Sequence, residues 1–282
     1  MQKSAPLTVH YGRELTIAGR DLGRRRRVDV PTRHGVIRCW VRTPPGAGPA
    51  PVYVHLHGGA FIMRHPRMDD FWARYLVARG RVAVVAVDYA TAPQAAYPVA
   101  HEQVYDVLAH LSADGDRLGV DPARVSVGGF SAGGNLAAAA ALLARDEGGP
   151  GLRFLHLGVP SLDLTESYAE KQPVGEPMVG RAIMELVRST YFRDVARRAE
   201  AYASPLRADS LAGLPPTMVV TAGLDLLRRE GDVFAHRLRA EGVPVRHLEV
   251  PDRDHYFLDP VNARDLMGQM SQAIVAGLAS SH

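Results

Sequence analysis

Apolar residues recur along the chain with two different periods. Short runs of β-branched and other apolar residues alternate with longer segments in which apolar residues recur every three or four positions. The first pattern predicts buried strands, and the run at 81–87 is its clearest example. The second predicts amphipathic helices, as over 100–113, where Val104, Val107 and Leu111 share one face. This alternation is typical of a mostly parallel sheet covered by helices.

The same two periods place the remaining elements. Further strands are predicted at 36–41, 51–56, 125–127, 154–159, 217–222 and 245–250, and further helices at 69–79, 132–145, 230–241 and 260–279. The fold class predicted from the pattern is therefore α/β.

A long segment before the strand at 217–222 interrupts the alternation. It has turn-rich flanks around a helical centre at 179–192. Because a long connection inside a compact domain usually carries its own structure, we interpret residues 160–212 as a helical cap insertion over the site. The predicted organisation is one domain over 1–282 that contains this insertion, with a segment at 1–27 that is a reduced cap or poorly ordered.

Bulk composition agrees with a single folded domain. The chain has 282 residues, of which 46% are hydrophobic and 22% charged. These values are ordinary for globular proteins, and α/β folds of this length often form one domain. No apolar run approaches the roughly 20 residues that a membrane helix needs, and residues 1–10 lack the apolar core of a secretory signal. We therefore predict a cytoplasmic protein without stable membrane insertion.

The charge distribution gives no reason to expect a nucleic-acid partner. The formal net charge is +3, and the one dense basic cluster is Arg24–Arg27. No aromatic residues interleave with these arginines, as single-strand binding would require. We interpret the cluster as part of a solvated or poorly ordered N-terminal segment rather than as a phosphate-binding patch.

The chain contains one cysteine, Cys39, which excludes an intrachain disulfide. It lies in the strand-like run at 36–41, where it is predicted to be a small apolar filler. One cysteine with scattered histidines gives no metal-site spacing, so the sequence predicts no metal.

A serine between two glycines provides the first chemical signal. Residues 129–133, Gly-Phe-Ser-Ala-Gly, have the form G-x-S-x-G between the strand at 125–127 and the helix at 132–145. In this context a sharp strand-to-helix turn raises the serine hydroxyl above the sheet edge, and the helix N-terminus supplies N–H groups beside it. Ser131 is therefore the predicted nucleophile.

A serine hydroxyl needs a positioned base, and the chain order on this scaffold is serine, acid, histidine. Asp225 directly follows a predicted strand, although it is also a candidate N-cap for the next helix. His255 lies in a loop beyond a later strand, whereas His236 falls in a helix and His247 in a strand. The predicted triad is Ser131, Asp225 and His255.

A glycine-containing loop completes the predicted site. His57, Gly58 and Gly59 follow the strand at 51–56, and glycines allow the backbone to aim two N–H groups at one point. Together with the N–H of Ala132, these groups would bind the negative oxygen of a tetrahedral intermediate. His57 is predicted to hold the loop through side-chain hydrogen bonds rather than to react.

These stretches resemble the hormone-sensitive-lipase-like family of α/β-hydrolases, the esterase branch with an HGG loop. Residues 57–61 are similar to HGGG-F, residues 129–136 (GFSAGGNL) to GDSAGGNL, and residues 225–231 to D-P-L-R-D-E-G. Residues 88–98 are similar to the family's D-Y-x-x-A-P-E…P-A stretch, and residues 255–257 to H-G-F. The resemblance covers most of the chain.

The resemblance implies an eight-stranded, mostly parallel sheet with helices on both faces and a small helical cap. It also implies hydrolysis of short- to medium-chain acyl esters through an acyl-enzyme on Ser131, without a cofactor. The triad carries over to Ser131, Asp225 and His255, and the oxyanion donors carry over to Gly58, Gly59 and Ala132.

Several departures from the family pattern affect the expected pocket. Ala60 stands at the third loop glycine and is expected to narrow the pocket, and Phe130 replaces an Asp and removes a charge beneath the nucleophile. Tyr256 replaces the Gly after the histidine and is expected to shrink the acyl pocket, and Gln94 replaces a Glu. Residues 1–27 are too few for the usual two-helix N-terminal cap, so a more open site is expected.

The pocket and the partners are also predicted. Phe61 and Tyr256, with the cap residues Met184, Val187 and Tyr191, are the candidate substrate-binding residues. The expected partner is a small-molecule ester, with no nucleic acid, and homodimer formation stays open. Two alternatives also stay open: an amide or N-acetyl hydrolase with the same triad, and a non-catalytic ligand-binding homologue.

Overall fold

The computed structural model describes residues 14–18, 22–23, 25–46 and 48–280. In this part of the chain the strands form one eight-stranded sheet. The strands are β1 (Arg25–Thr32), β2 (Gly35–Arg42), β3 (Ala50–Leu56), β4 (Ala83–Asp88), β5 (Val120–Phe130), β6 (Leu152–Gly158), β7 (Thr217–Ala222) and β8 (Val245–Val250).

The strand order determines where the loops meet. Across the sheet the order is β1-β2-β4-β3-β5-β6-β7-β8; β2 is antiparallel to both of its neighbours, and every pair from β4 to β8 is parallel. The C-terminal ends of β3, β5, β7 and β8 therefore lie at one edge, where open α/β sheets bind ligands. The predicted eight-stranded, mostly parallel sheet is confirmed.

Helices cover both faces of this sheet. They are α1 (Asp70–Tyr75), α2 (Val99–Asp114), α3 (Ala132–Asp146), α4 (Arg181–Thr190), α5 (Arg228–Ala240) and α6 (Ala263–Ala279). A π-helical turn at Leu76–Gly80 continues α1, and 3₁₀ turns lie at Gly115–Leu118, Ala196–Ala199 and Pro205–Arg207. Helices α2, α3 and α5 pack on one face through residues such as Leu108, Leu136 and Phe234, and α1 and α6 pack on the other through Trp72 and Met267.

The central strands are buried on both faces. In β3, Val52, Val54 and Leu56 contribute to one core and Tyr53 to the other, because successive side chains of a strand alternate between faces. Full burial of one such aliphatic side chain contributes about 1.5–3 kcal/mol to stability. Burial on both faces explains why these strands read as nearly continuous apolar runs.

The N-terminal boundary of the sheet differs from the prediction. β1 begins at Arg25, so the segment predicted at 1–27 ends earlier than expected. The Arg25 guanidinium lies 4.9 Å from the centre of the Trp40 ring on β2, and Arg27 forms an ion pair of 2.8 Å with Asp29. Arg25 and Arg27 are therefore part of an ordered strand rather than of a poorly ordered segment, although the Arg27 side chain is exposed, and Arg24 lies outside the described residues.

Strand β5 is longer than the predicted 125–127. Its start at Val120 pairs with Ala50, and the register shifts before Val52 pairs with Val125. The irregularity accommodates Pro122, which has no N–H to donate and whose sequence context indicated a turn. Because of this bulge, β5 can include Pro122, and the local sequence pattern therefore did not predict the first part of the strand.

Helix α4 lies within the predicted 160–212 insertion, between β6 and β7. Met184 and Val187 form its buried face. The insertion is joined to the loop after β8 by a hydrogen bond of 2.8 Å from the Met178 N–H to an Asp254 carboxylate oxygen. A helical segment therefore lies close to the loop that carries His255.

Three further observations concern environment and ligands. Among the described residues, no helix combines the length and the apolar character required to cross a membrane. The same residues contain no group of three His, Cys, Asp or Glu side chains arranged to hold a metal ion. Cys39 is buried, and burial raises the pKa of its thiol to about 12, which is consistent with its predicted role as an apolar filler.

Candidate active site

Ser131 lies in the turn between β5 and α3 with a strained backbone. Its φ of 56° and ψ of −118° are unusual for a residue with a side chain. The Ser131 N–H donates to the Gly158 carbonyl at 2.9 Å, and the Ser131 carbonyl accepts from the Asn135 N–H at 3.2 Å. The neighbouring strand and the first turn of α3 thus hold Ser131 in this conformation, as in the nucleophile turn of α/β-hydrolases.

Two glycines in this turn are required by close backbone contacts. A Cβ at Gly129 would lie 2.3 Å from the Leu56 carbonyl oxygen, and a Cβ at Gly133 would lie 2.0 Å from the same atom. No side chain fits at these distances, so the turn brings the start of α3 against the end of β3. Ser131 and the loop that begins at His57 therefore lie side by side.

The loop after β3 presents its backbone towards Ser131. A Cβ at Gly58 would lie 3.6 Å from the Ser131 Cβ, and Gly59 has a φ of 120° that favours glycine. In the described part of the chain the N–H groups of Gly58 and Gly59 have no hydrogen-bond acceptor. The N–H of Ala132 belongs to the first turn of α3, and such groups have no carbonyl partner within a helix. These three N–H groups are available for an anionic oxygen.

His57 stabilises this loop, as predicted. Its Nδ1 donates to the Gly58 carbonyl at 2.6 Å, and the Tyr89 hydroxyl donates to the His57 carbonyl at 2.6 Å. The two rings stack with centroids 4.4 Å apart. Burial lowers the pKa of His57 to about 4, so the imidazole is neutral at physiological pH.

His255 and Asp225 form a hydrogen-bonded pair across two loops. His255 Nδ1 lies 2.8 Å from Asp225 Oδ2, and the two side chains are 8% and 1% exposed. The loops are joined by backbone bonds from the Gly223 N–H to the Val250 carbonyl and from the Leu224 N–H to the Arg253 carbonyl. The imidazole is therefore fixed through Nδ1, and Nε2 is the nitrogen that can accept a proton.

Asp225 also has the alternative role considered from the sequence. Its Oδ1 accepts from the Leu227 N–H at 3.1 Å, just before α5 begins, while Oδ2 binds His255. One carboxylate therefore orients an imidazole and satisfies an N–H at a helix start. The helix start in turn limits the rotation of the carboxylate.

Ser131 and His255 line the same cleft. Among the described residues, the Ser131 hydroxyl has no hydrogen-bond partner, so the bond to His255 is not formed in this structure. Such bonds are often long or absent without substrate and tighten in the complex. The structure brings Asp225 and His255 into contact and places Ser131 beside the same opening.

Two clefts meet at Ser131. The larger cleft is open, has a volume of about 790 Å³ and also contains His255. Its walls are mainly apolar, with Met63, Met68, Phe71, Phe130, Phe257 and Leu258. The smaller cleft, about 450 Å³, lies on the side of the 160–212 insertion and has charged residues, among them Asp163, Lys171 and Arg188, in its wall.

The charged groups of the smaller cleft already have partners. Lys171 Nζ donates to a carboxylate oxygen of Glu230 and, at 2.9 Å, to the Asp163 carbonyl. Burial raises the pKa of Glu230, and the Lys171 ammonium opposes that effect. Arg188 donates to the Leu164 carbonyl at 2.6 Å. The Lys171–Glu230 bond joins the insertion to α5, the other two bonds lie within the insertion, and together they leave the cations largely satisfied.

The five predicted substrate-binding residues lie in three places. Tyr256 lines the larger cleft and is 44% exposed. Phe61, Met184 and Val187 line the smaller cleft. The Tyr191 ring is 1% exposed and stacks behind Phe61 with centroids 4.9 Å apart, so it supports the cleft wall from the core.

Comparison with known proteins adds to this geometry. Residues 53–259 match the model of a protein family described as having the α/β-hydrolase fold. The chain is 35% identical to the carboxylic ester hydrolase LipN of Mycobacterium tuberculosis over 239 residues, or 82% of this chain and 61% of LipN. It is 33% identical to the carboxylesterase NlhH of the same species over 95% of this chain and 82% of NlhH. The chain thus spans less than two thirds of LipN but most of NlhH.

The structure is also similar to a solved esterase structure. The thermostable carboxylesterase EstE1, cloned from a metagenomic library, superposes with a TM-score of 0.88 at 30% identity over 99% of this chain and 97% of EstE1. The chain belongs to the hormone-sensitive-lipase-like family of α/β-hydrolases. The resemblance inferred from its motifs is thereby confirmed.

Three of the departures from the family pattern, Ala60, Phe130 and Tyr256, line the larger cleft. Ala60 has a φ of 55°, a left-handed conformation that costs about 1 kcal/mol or more for a residue with a side chain, and it lines both clefts. Phe130 lies where the family pattern has Asp and packs against His55 and His156 with centroids 5.6 and 5.7 Å apart. The floor beside Ser131 is therefore aromatic rather than charged.

Several cleft residues escaped the sequence prediction. Met63, Met68 and Phe71 come from the loop after His57 and the start of α1, and Phe257 and Leu258 follow His255. Only their position in the sequence could have indicated a place in the cleft. Each lies within about 15 residues of a motif at the carboxyl edge of the sheet, where ligand sites form. Apolar residues at such positions are equally compatible with an ordinary core, so the hydrophobic pattern alone does not distinguish cleft residues from core residues.

Proposed function

We propose that this protein is a serine carboxylesterase that hydrolyses short- to medium-chain acyl esters through an acyl-enzyme on Ser131. The observation that carries the proposal is the buried 2.8 Å bond between His255 Nδ1 and Asp225 Oδ2, with His255 and Ser131 in the wall of the same cleft. The esterase names of LipN, NlhH and EstE1 support it.

In the first half of the proposed cycle, His255 Nε2 accepts the Ser131 hydroxyl proton as the oxygen attacks the ester carbonyl. Asp225 holds the imidazole in the tautomer with Nδ1–H and stabilises the imidazolium that forms. His255 then gives the proton to the leaving alkoxide, and an alcohol departs. The acyl group remains bound to Ser131 Oγ.

In the second half, water attacks the acyl-serine while His255 takes its proton, and the carboxylic acid leaves as Ser131 regains its hydrogen. In both halves the carbonyl oxygen becomes negative. The N–H groups of Gly58, Gly59 and Ala132 are the proposed donors to that oxygen. Each such preorganised donor contributes about 10²–10³ in rate.

The hydrogen bond between His255 and Asp225 also argues against the alternative of a non-catalytic, ligand-binding homologue. A ligand-binding homologue has no need of a buried imidazole oriented by a carboxylate beside a strained serine. Ser131 has a φ of 56° at the cleft wall, and strain of this kind persists where the surrounding structure enforces it, often at active sites. The Ser131 turn and the His255–Asp225 pair therefore favour catalysis.

Aromatic residues in the wall of the larger cleft bear on the proposed chain length. Phe130 and Phe257 contact each other with centroids 5.9 Å apart in the wall of the larger cleft. Tyr256 stands at its exposed side. We propose that these aromatic rings limit the length of the acyl chain that fits beside Ser131, so activity should be highest on the shortest chains and fall steeply with length.

The test is hydrolysis of p-nitrophenyl esters of graded acyl length by the wild type and Ser131→Ala. We expect Ser131→Ala to lose about 10⁵-fold or more in kcat, because a triad without its nucleophile retains only binding and oxyanion stabilisation. Ser189→Ala, on the exposed face of α4, is the matched control and should keep wild-type rates. Equal rates for Ser131→Ala and the wild type would refute the proposal.

A second readout separates ester from amide hydrolysis. Matched p-nitrophenyl acetate and p-nitroacetanilide differ in the atom that leaves, and a carboxylesterase should favour the ester by a large factor. Labelling of the wild type, but not of Ser131→Ala, by an activated phosphonate would identify the Ser131 hydroxyl oxygen as the nucleophile that carries the acyl group. Faster turnover of the anilide would instead favour the amide hydrolase.

The proposal includes the setting of the enzyme. We infer a cytoplasmic location and a small-molecule ester as the partner, without nucleic acid; Arg25 and Arg27, in the basic cluster, are engaged with Trp40 and Asp29. Light scattering after size-exclusion chromatography would decide between monomer and homodimer. Cell fractionation would test the location.

A further inference from the structure

A second buried histidine–carboxylate pair lies beside the larger cleft. His55 Nε2 is 2.9 Å from Asp69 Oδ2, and the two side chains are 2% and 3% exposed. His55 is in β3, and Asp69 directly precedes α1. The mechanism proposed above uses neither residue.

The hydrogen bonds indicate how this pair is charged. In the described part of the chain, His55 Nδ1 is buried without a hydrogen-bond partner. An N–H at Nδ1 would be a buried donor without an acceptor, so the tautomer with its proton on Nε2 is favoured. That proton is donated to Asp69. The pair therefore carries one negative charge, which is on the carboxylate.

Asp69 forms part of the wall of the larger cleft, which His55 does not. Among the residues that line this cleft, Asp69 is the one carboxylate, and its neighbours Met68, Phe71 and Phe130 are apolar. The pKa of Tyr256, across the cleft, is raised first by burial and then by the Asp69 charge. The Asp69 charge therefore acts on another residue that lines the same cleft.

His55 and Asp69 also line a separate recess, whose wall contains Arg25, Arg42 and Arg67 together with Asp70. Arg42 pairs with Asp70 at 3.5 Å. Within the described residues, no arginine lies within ion-pair distance of Asp69. The Asp69 charge is thus held by one neutral imidazole and has no counter-ion in contact.

We propose that Asp69 determines substrate specificity by binding a protonated amine on the ester that enters the larger cleft. This inference rests on the proposed esterase function. A buried carboxylate with one hydrogen-bond partner gains from a second donor, and a charge-assisted bond from an ammonium is the strongest that an amine-bearing ester offers. An alkyl group of the same shape would leave that carboxylate without the second donor.

The expected preference is moderate because two effects oppose each other. Hydrogen bonds to charged groups are worth about 1.5–3 kcal/mol, which corresponds to about 10- to 150-fold in kcat/KM. The ammonium must, however, give up its own hydration on entering an apolar cleft. We therefore expect the wild type to favour an amine-bearing ester over its alkyl isostere by about tenfold.

Two matched substrate pairs test the preference without assuming which end of the ester enters the cleft. One pair is the p-nitrophenyl esters of dimethylaminopropanoic and isocaproic acid, which differ in a protonated nitrogen in place of a CH group. The other is dimethylaminopropyl acetate and isohexyl acetate, followed by pH-stat titration. The readout is the ratio of kcat/KM within each pair, which cancels any general loss of active protein.

The test variant is Asp69→Asn, which keeps an acceptor for His55 and removes the charge. It should lower the amine-to-alkyl ratio about tenfold in the pair that shows the preference. Asp70→Asn is the matched control, since it removes a neighbouring carboxylate that lines the recess with Arg42 rather than the larger cleft. Asp70→Asn should keep the wild-type ratio.

The possible outcomes are distinct. No amine preference by the wild type in either pair, or a preference that survives in Asp69→Asn, would overturn the inference. Should Asp69→Asn fail to fold, competitive inhibition of the wild type by protonated 3-dimethylaminopropan-1-ol, compared with its neutral isostere isohexanol, decides the matter: stronger inhibition by the amine supports Asp69, and equal inhibition opposes it. Failure of the wild type to hydrolyse p-nitrophenyl acetate would instead refute the esterase proposal.

Discussion

Two histidine–carboxylate pairs in the described part of the chain are buried on both sides, and they have almost the same local geometry but different surroundings. The bond is 2.8 Å long in the His255–Asp225 pair and 2.9 Å in the His55–Asp69 pair, and all four side chains are buried. In the first pair the histidine lines the cleft, whereas in the second pair the carboxylate does. The residue that lines the cleft therefore differs between the two pairs. His255 offers a proton acceptor, whereas Asp69 offers a fixed anion.

The difference follows from where each histidine lies in the fold. His255 is in the loop beyond β8, so its Nδ1 is bound and its Nε2 remains for the cleft. His55 is inside β3, its Nε2 is bound, and its Nδ1 is buried without a partner in the described structure. A hydrogen bond to a carboxylate is thus not by itself a sign of a general base. The free nitrogen must also reach the substrate.

The strongest test of this comparison is to replace each histidine by glutamine. His255→Gln should lower kcat on p-nitrophenyl acetate by about 10⁵-fold, because glutamine cannot accept the Ser131 proton. His55→Gln should cost far less, since it removes no proton-transfer step. Steady-state kinetics measures both, with circular dichroism to establish folding. Comparable losses in the two variants would show that the pairs are not functionally distinct.

Much of the fold was predictable because its signals are local. The strands at 217–222 and 245–250 have the predicted bounds, since short runs rich in β-branched and other apolar residues between turns leave a clear pattern. The strand β1 (Arg25–Thr32) was not predicted from the sequence. It begins in an arginine cluster whose contact residues, such as Trp40, become neighbours only when the sheet forms. Cross-strand contacts of this kind have no local sequence signal.

The site was predictable to the extent that chain order and strand ends define it. Ser131, Asp225 and His255 follow three parallel strands, so their convergence at one edge follows from topology. The Asp69–His55 pair was not predicted, because a histidine within an apolar strand and an acid before a helix each have ordinary explanations. Only the folded chain shows that these two residues meet beside the cleft.

Buried histidines without a carboxylate partner sharpen the comparison through acid stability. Burial lowers the pKa of His57 and His101 to about 4 and that of His156 to about 3, from an ordinary value of 6.5. Below pH 6.5 the unfolded chain binds protons that the folded chain refuses, so stability falls as pH decreases towards the folded pKa. In that window each of these histidines lowers the free energy of unfolding by about 1.4 kcal/mol per pH unit of acidification.

Urea denaturation followed by tryptophan fluorescence should therefore give an unfolding free energy about 4 kcal/mol lower at a pH of about 5.5 than at about 7.5. His156→Gln removes one of the three groups and should reduce this difference by about 1.4 kcal/mol. Carboxylates with lowered pKa, such as Glu241, act at lower pH and do not enter this window. A flat profile would mean that these imidazoles are protonated in the folded protein.

The last test of the comparison concerns the energetics of the second pair itself. His55→Leu would leave the Asp69 carboxylate buried without its hydrogen-bond donor, and breaking a buried pair in this way costs about 3 kcal/mol or more. The double variant His55→Leu/Asp69→Leu removes the charge as well, so it should be more stable than the single variant. The Asp69 side chain makes no capping bond to α1, and only its carbonyl accepts from the Trp72 and Ala73 N–H groups, so the helix start should persist. Urea denaturation of the wild type and both variants measures the difference. A double variant less stable than His55→Leu would mean that the carboxylate is stabilised by something other than His55, and the assignment of its negative charge to a site held by one imidazole would then be wrong.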